Sequence, residues 1–208
     1  MTPLLLLVHG WGFDAGFWAP LRTRFAPEDT LAWDLGFFGA PARPTPPPGR
    51  EVVAVGHSFG LLWLLHERPL PWRGLVGING FTRFAQGADF PAGIAPRVLA
   101  RMQARLAADP AAVVREFRAR LGDTAPPPGM PDAAALTAGL EALAGWDERG
   151  ARVDAALCGE ADGLVNPAMS AACFTAAASQ WHAGGHLLPQ EAPDWCAAQL
   201  RDVVERLP

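Results

Sequence analysis

Six short apolar runs, each bounded by glycine, proline or a charged residue and set apart by helical patterns or turns, constrain this chain more than any other feature. They are "PLLLLVHG" (3–10), "TLAWDLG" (30–36), "EVVAVGHS" (51–58), "RGLVGING" (73–80), "RVDAALCGEAD" (152–162) and "SQWHAGGH" (179–186). A strand with one wet face alternates apolar and polar residues. These runs are nearly continuous, so they read as strands of a parallel sheet covered on both faces. Helical patterns at 59–67, 168–178 and 191–206 alternate with them, which predicts a doubly wound α/β sheet. A chain of 208 residues suits one such domain with a sizeable core.

Two regions interrupt the alternation. "APARPTPPPGR" (40–50) holds five prolines in 11 residues, which forbids a helix and predicts an extended connection. Residues 81–151 form a mostly helical insert between two strands. Within it, "IAPRVLARMQARLAAD" places Leu99, Met102 and Leu106 at helical spacing. "DPAAVVREFRARLG" offers Asp109 as N-cap, Pro110 at the first helical position and Gly122 as terminator. "PDAAALTAGLEALAGWD" reads as a third helix.

Composition gives no reason to expect several classes of partner. The formal net charge of −4 gives no electrostatic reason to bind nucleic acid or an anionic membrane. All 17 basic residues are arginine, a bias that fits a GC-rich genome better than a mechanism. "MTPLLLLVHGWG" lacks the basic region, apolar length and cleavage site of a signal peptide, and no window is long enough to span a membrane. Cys158, Cys173 and Cys196 show neither a CxxC pair nor metal-ligand spacing, so buried thiols in a reducing cytoplasm are expected.

Against that background "EVVAVGHSFGLLW" (51–63) stands out. The chain has only three serines, and Ser58 sits between Gly56 and Gly60 where an apolar strand passes into an apolar helix. Such a turn lifts one hydroxyl above the sheet in a strained conformation, open to a base and to substrate. A serine hydroxyl needs a general base oriented by a carboxylate, here in the order Ser, acid, His. "LCGEADGLVNP" supplies Asp162, with Glu160 as competitor. "QWHAGGHLLP" supplies His186, with His182 as competitor. His57 adjoins the serine but diverges from it, His66 reads as a helix-end residue, and Asp34 as a structural loop residue. For the oxyanion, the N–H groups of Phe59 and of Trp11, in the turn "VHGWGFDAGFW", are the candidate donors.

With "LVHGWGFDAGFW", "GHSFG", "GLEALAGWDERG", "CGEADGLVNP" and "GGHLLP" assembled, the chain resembles the α/β-hydrolase superfamily. More narrowly, it is similar to the pimeloyl-[acyl-carrier protein] methyl ester esterases of biotin synthesis. The resemblance implies a reduced, mostly parallel sheet of about six strands, with helices on both faces. It also implies a core of residues 1–80 and 152–208 and a helical lid over 81–151. It assigns Ser58, Asp162 and His186 to the triad and Trp11 with Phe59 to the oxyanion hole. The lid stretch "REFRARL" nominates Phe117 and Leu121 for the acyl pocket. Departures are visible: the usual first two antiparallel strands and the helix before the nucleophile strand are missing, and "DLGFFGAP" replaces the family's D-x-P-G-x-G-x-S loop.

The implied reaction is ester hydrolysis through an acyl-serine, with no metal or organic cofactor. The acyl chain is expected among Trp11, Phe59, Phe81, Phe84, Phe117, Leu121 and Leu187. An acidic acyl-carrier protein would meet Arg97, Arg101 and Arg105, which share one helix face, with Arg115 and Arg118 following; a solvated helix face explains these arginines equally well. A cytoplasmic monomer is expected. The rival readings are a carboxylesterase for other small acyl esters and a non-catalytic hydrolase-like receptor or signalling protein.

Overall fold

A computed structural model of the chain describes residues 2–175 and 177–207. The six apolar runs form six strands: β1 (Leu4–Val8), β2 (Thr30–Trp33), β3 (Val52–His57), β4 (Gly74–Ile78), β5 (Ala155–Gly159) and β6 (Ala178–His182). They make one sheet in the order β2-β1-β3-β4-β5-β6, and every strand pairing in it is parallel. The four inner strands are buried along their whole length, whereas β2 and β6 at the edges are partly exposed. That explains why the inner runs show so little polar alternation.

Successive side chains of a strand point to opposite faces, and this splits each apolar run between two cores. Leu6, Val8, Ala54 and Leu75 face α2 (Phe59–Glu67) and the segment between β4 and β5. Leu5, Leu7, Val53, Val55, Val76 and Ile78 face the other side. There they meet α1 (Ala19–Arg22), α7 (Leu188–Glu191) and α8 (Pro193–Arg206), through Leu21, Leu188, Leu200 and Val203.

The segment between β4 and β5 carries α3 (Pro96–Leu106), α4 (Pro110–Arg120) and α5 (Ala133–Gly145). The Asp109 carboxylate accepts the N–H of Ala112 at 2.9 Å, Asp132 accepts that of Ala135 at 2.9 Å, and Gly122 ends α4 with a φ of +94°. Leu99, Leu106, Val114, Leu136 and Leu140 join the apolar cluster over the sheet. The 40–50 connection contains neither helix nor strand, and Pro44 accepts a hydrogen bond from the Trp33 indole.

Several boundaries differ from the sequence pattern. The 168–178 helix is shorter, because α6 (Pro167–Cys173) ends where Phe174 leaves it to bury its ring. The last strand stops at His182, so residues 183–187 are loop. The C-terminal helix starts at Pro193, after the separate turn of α7. All three cysteines are free and buried; burial pushes the Cys158 thiol up to about 11 and that of Cys196 to about 12. Among the described residues no helix is long and apolar enough to cross a membrane.

Candidate active site

Ser58 is the N-cap of α2 and has φ 52° and ψ −124°, a conformation that non-glycine residues rarely hold. The surrounding backbone holds it there. Its N–H donates to the Ile78 carbonyl, and its own carbonyl accepts from Leu61, both at 3.1 Å. A Cβ at Gly60 would lie 2.2 Å from the Val8 carbonyl oxygen, and one at Gly56 would lie 2.4 Å from Leu61 backbone. The two glycines therefore let α2 cross β1 and β3 at backbone contact.

The three side chains far apart in sequence meet at the C-terminal ends of β3, β5 and β6. The Ser58 hydroxyl donates to His186 Nε2 at 3.0 Å, and His186 Nδ1–H donates to Asp162 Oδ2 at 2.7 Å. The other carboxylate oxygen, Oδ1, accepts the N–H groups of Leu164 and Val165, both at 2.8 Å. These two bonds aim Oδ2 at the imidazole and fix its tautomer, leaving the Nε2 lone pair for the serine proton. All three residues are buried. Such an arrangement can generate a nucleophile from a neutral hydroxyl.

The competing candidates lie elsewhere. Glu160 is exposed, and its N–H donates to the His182 carbonyl. His182 accepts the N–H of Gly184 and leans on Trp195. His66 stacks on Trp146 at 3.7 Å and bonds Glu148. Asp34 accepts from Ala15 and Gly36. Burial disfavours its ionised form, but His9 beside it and those two donors prevail and hold it down to about 2. His57 is fully buried against Phe17, with Nε2–H donating to the His186 carbonyl at 2.9 Å. Burial, then the nearby His186, holds it well below its ordinary value, so it is a neutral ring.

The turn after β1 reaches Ser58: a Cβ at Gly10 would lie 3.0 Å from the Ser58 Cβ. His9 secures this turn, with Nδ1–H donating to the Gly10 carbonyl and Nε2 accepting the N–H of Leu35, both at 2.9 Å. Trp11 follows, its indole N–H bonded to the Leu136 carbonyl of α5 and its ring edge-on to Phe117. A cavity of about 220 Å³ opens at Ser58. Trp11, Phe59, Phe81, Phe84, Phe117 and Leu121, the residues nominated for the acyl pocket, all line it.

Leu187 does not. It is buried in the cluster on the opposite face of the sheet, because the chain turns into α7 directly after His186. Ile94, Val98, Leu99, Met102, Leu140, Leu143 and Leu164 line the cavity and were missed; helical spacing identified Leu99 and Met102 as one helix face but not what that face meets. Of the arginines, Arg105 is engaged by Glu116 through two bonds of 2.6 Å, and Arg118 is buried against Asp123. Arg97 and Arg101 are exposed, with no ion pair among the described residues, and Arg120 reaches the cavity rim. No cluster of His, Cys, Asp or Glu suited to a metal occurs among the described residues.

No protein-family model matches the chain. A pimeloyl-[acyl-carrier protein] methyl ester esterase of Stenotrophomonas maltophilia (strain K279a) is 32% identical over 251 residues, covering 99% of this chain and 94% of that protein. The protein of the same name from Xanthomonas axonopodis pv. citri (strain 306) is 30% identical, with 88% of each covered. The first alignment is longer than this chain, so that relative carries internal stretches with no counterpart here. Among solved structures, an esterase from Exiguobacterium antarcticum superposes with a TM-score of 0.78 over 98% of this chain and 92% of that one, at 15% identity. A bromoperoxidase from Bacillus anthracis gives 0.78 over 99% and 92%, at 14% identity. At such identities the likeness speaks for the fold alone.

Proposed function

This chain belongs to the pimeloyl-[acyl-carrier protein] methyl ester esterase family of α/β-hydrolases, and from that premise we propose that it cleaves the methyl ester of pimeloyl-[acyl-carrier protein] in biotin synthesis. It is a carboxylic-ester hydrolase; the finer assignment is supported above all by the relative of that name, 32% identical over nearly the whole chain, and the Ser58–His186–Asp162 relay opening into an apolar cavity supplies the chemistry.

Ser58 Oγ attacks the ester carbonyl while His186 Nε2 takes the hydroxyl proton, and Asp162 stabilises the imidazolium. The N–H groups of Trp11 and Phe59 hold the tetrahedral oxyanion. Its collapse breaks the bond to the methoxy group, which leaves as methanol with the proton from His186. Water then attacks the acyl-serine, with His186 again as base, and releases the free acid. The 81–151 segment serves as lid, its α3–α5 wall holding the acyl chain. The cavity is smaller than the roughly 300–1,000 Å³ of clefts for drug-sized ligands, which suits a slim methylene chain. Arg97 and Arg101 face an acidic carrier protein, while Arg105 holds α4 through Glu116. The enzyme works as a monomer in the cytoplasm, in keeping with three free, buried thiols.

A second reading is a carboxylesterase for other small acyl esters, favoured by the internal stretches this chain lacks relative to its relative. Growth of a biotin auxotroph without its own esterase separates the two. Rescue by the wild-type gene and not by Ser58→Ala supports the biotin assignment; no rescue, alongside p-nitrophenyl butyrate hydrolysis, selects the second reading. If the purified protein hydrolyses neither ester, a non-catalytic role is left.

A further inference from the structure

The Asn79 side chain is one of the few buried polar groups outside the triad, and its carboxamide joins the two loops that carry the acid and the base. The residue follows β4 directly, with a left-handed φ of 44° that asparagine tolerates better than most side chains. Its N–H donates to the Leu157 carbonyl at 2.8 Å, which docks it against β5. Its Oδ1 accepts the N–H of Gly159 at 2.7 Å, and its Nδ2–H donates to the Gly185 carbonyl at 2.7 Å. Gly159 ends β5 three positions before Asp162, and Gly185 directly precedes His186.

The two backbones lie against one another, since a Cβ at Gly159 would come within 2.5 Å of the Gly185 oxygen. One planar group must therefore present an acceptor to one loop and a donor to the other, and a carboxamide does both. The geometry points to Asn79 as a positioning residue that sets the separation of Asp162 and His186. His57 grips the adjacent carbonyl of His186 from β3, so the base loop is held at two successive peptide units. The inference rests on the esterase reading above.

Asn79→Asp and Asn79→Gly test it, both compatible with the left-handed backbone. In Asn79→Asp a protonated carboxyl reproduces the donor and acceptor pair; an ionised one loses the donor and sets charge against the Gly185 carbonyl, and burial raises the pH at which this happens. Asn79→Asp should therefore match wild-type kcat on p-nitrophenyl butyrate when both are measured at the same low pH. As pH rises it should lose activity along a limb absent from the wild type, with KM unchanged. Asn79→Gly should lose roughly ten- to a hundredfold in kcat at every pH, as expected for a misplaced base. Should the glycine variant fail to fold, the pH titration of Asn79→Asp within a single protein decides. Wild-type kcat and pH profile in a folded Asn79→Asp would overturn the inference, as would a pH-independent loss that tracks its melting temperature. Hydrolysis that survives Ser58→Ala removes the esterase reading itself, a separate failure.

Discussion

The turn that carries Ser58 and the α3–α5 wall face each other across one cavity, and they are built in different ways. At the turn, backbone meets backbone: Gly60 against Val8 and Gly56 against Leu61, with Gly159 against Gly185 beside it. No side chain can adjust there, so these positions tolerate one residue type. The wall is made of side chains such as Leu99, Met102, Phe117 and Leu140, contributed by three helices. Any one of them can change size while its neighbours repack. On the proposed reading, the contrast separates what makes the chain a hydrolase from what would choose its ester.

The most damaging way to probe this contrast is Gly60→Ala. With a Cβ 2.2 Å from a carbonyl oxygen, destabilisation should reach or exceed the ~3 kcal/mol of severe overpacking, read as a large fall in urea midpoint or as no folded protein. A stable, active Gly60→Ala would break the comparison at its stronger end.

On the wall, Met102→Trp should fold and keep activity on p-nitrophenyl acetate. It should lose about tenfold in kcat/KM on the octanoate, the size of effect that a methylene or two commands in an apolar pocket. An unchanged chain-length profile would show that the acyl group does not lie along α3.

His57 sharpens the comparison from the rigid side. Its folded-state value is depressed by burial, so below about 6.5 the unfolded chain takes up a proton that the folded one refuses. That stability contribution is complete above about 6.5 and falls as pH drops, by about 1.4 kcal/mol per unit for one proton. Urea denaturation of wild type and His57→Gln at two pH values, about 7.5 and about 5.5, measures it; the variant should show the flatter dependence.

The smallest effect belongs to the surface of the wall. Arg97→Glu with Arg101→Glu should raise KM for carrier-linked ester by roughly three- to tenfold at low salt, as rim charges do, and spare p-nitrophenyl butyrate. Equal changes on both substrates would reject docking there.

The same contrast explains what could be read before folding. The six strands, the Ser58 turn and the convergence of Ser58, Asp162 and His186 were legible because short apolar runs, glycine spacing and strand-end loops act through local backbone geometry. The strands proved wholly parallel, since every connection in the sheet is a crossover. Leu187 misled because sequence adjacency to His186 says nothing about direction once the chain turns into α7. The Arg105 ion pair was not legible because its partner, Glu116, sits on another helix. Asn79 reads in sequence as the polar end of "RGLVGING"; its two partners lie 80 and 106 residues away, a relation no local pattern carries.

The central claim is that His186, set by Asp162, makes Ser58 a nucleophile, and covalent labelling tests it directly. Incubated with a fluorophosphonate and digested for mass spectrometry, the wild type should carry one adduct, on Ser58, formed in step with loss of esterase activity. His186→Ala should label far more slowly. An adduct on another residue, or full esterase activity in a protein whose Ser58 is fully modified, would contradict the account.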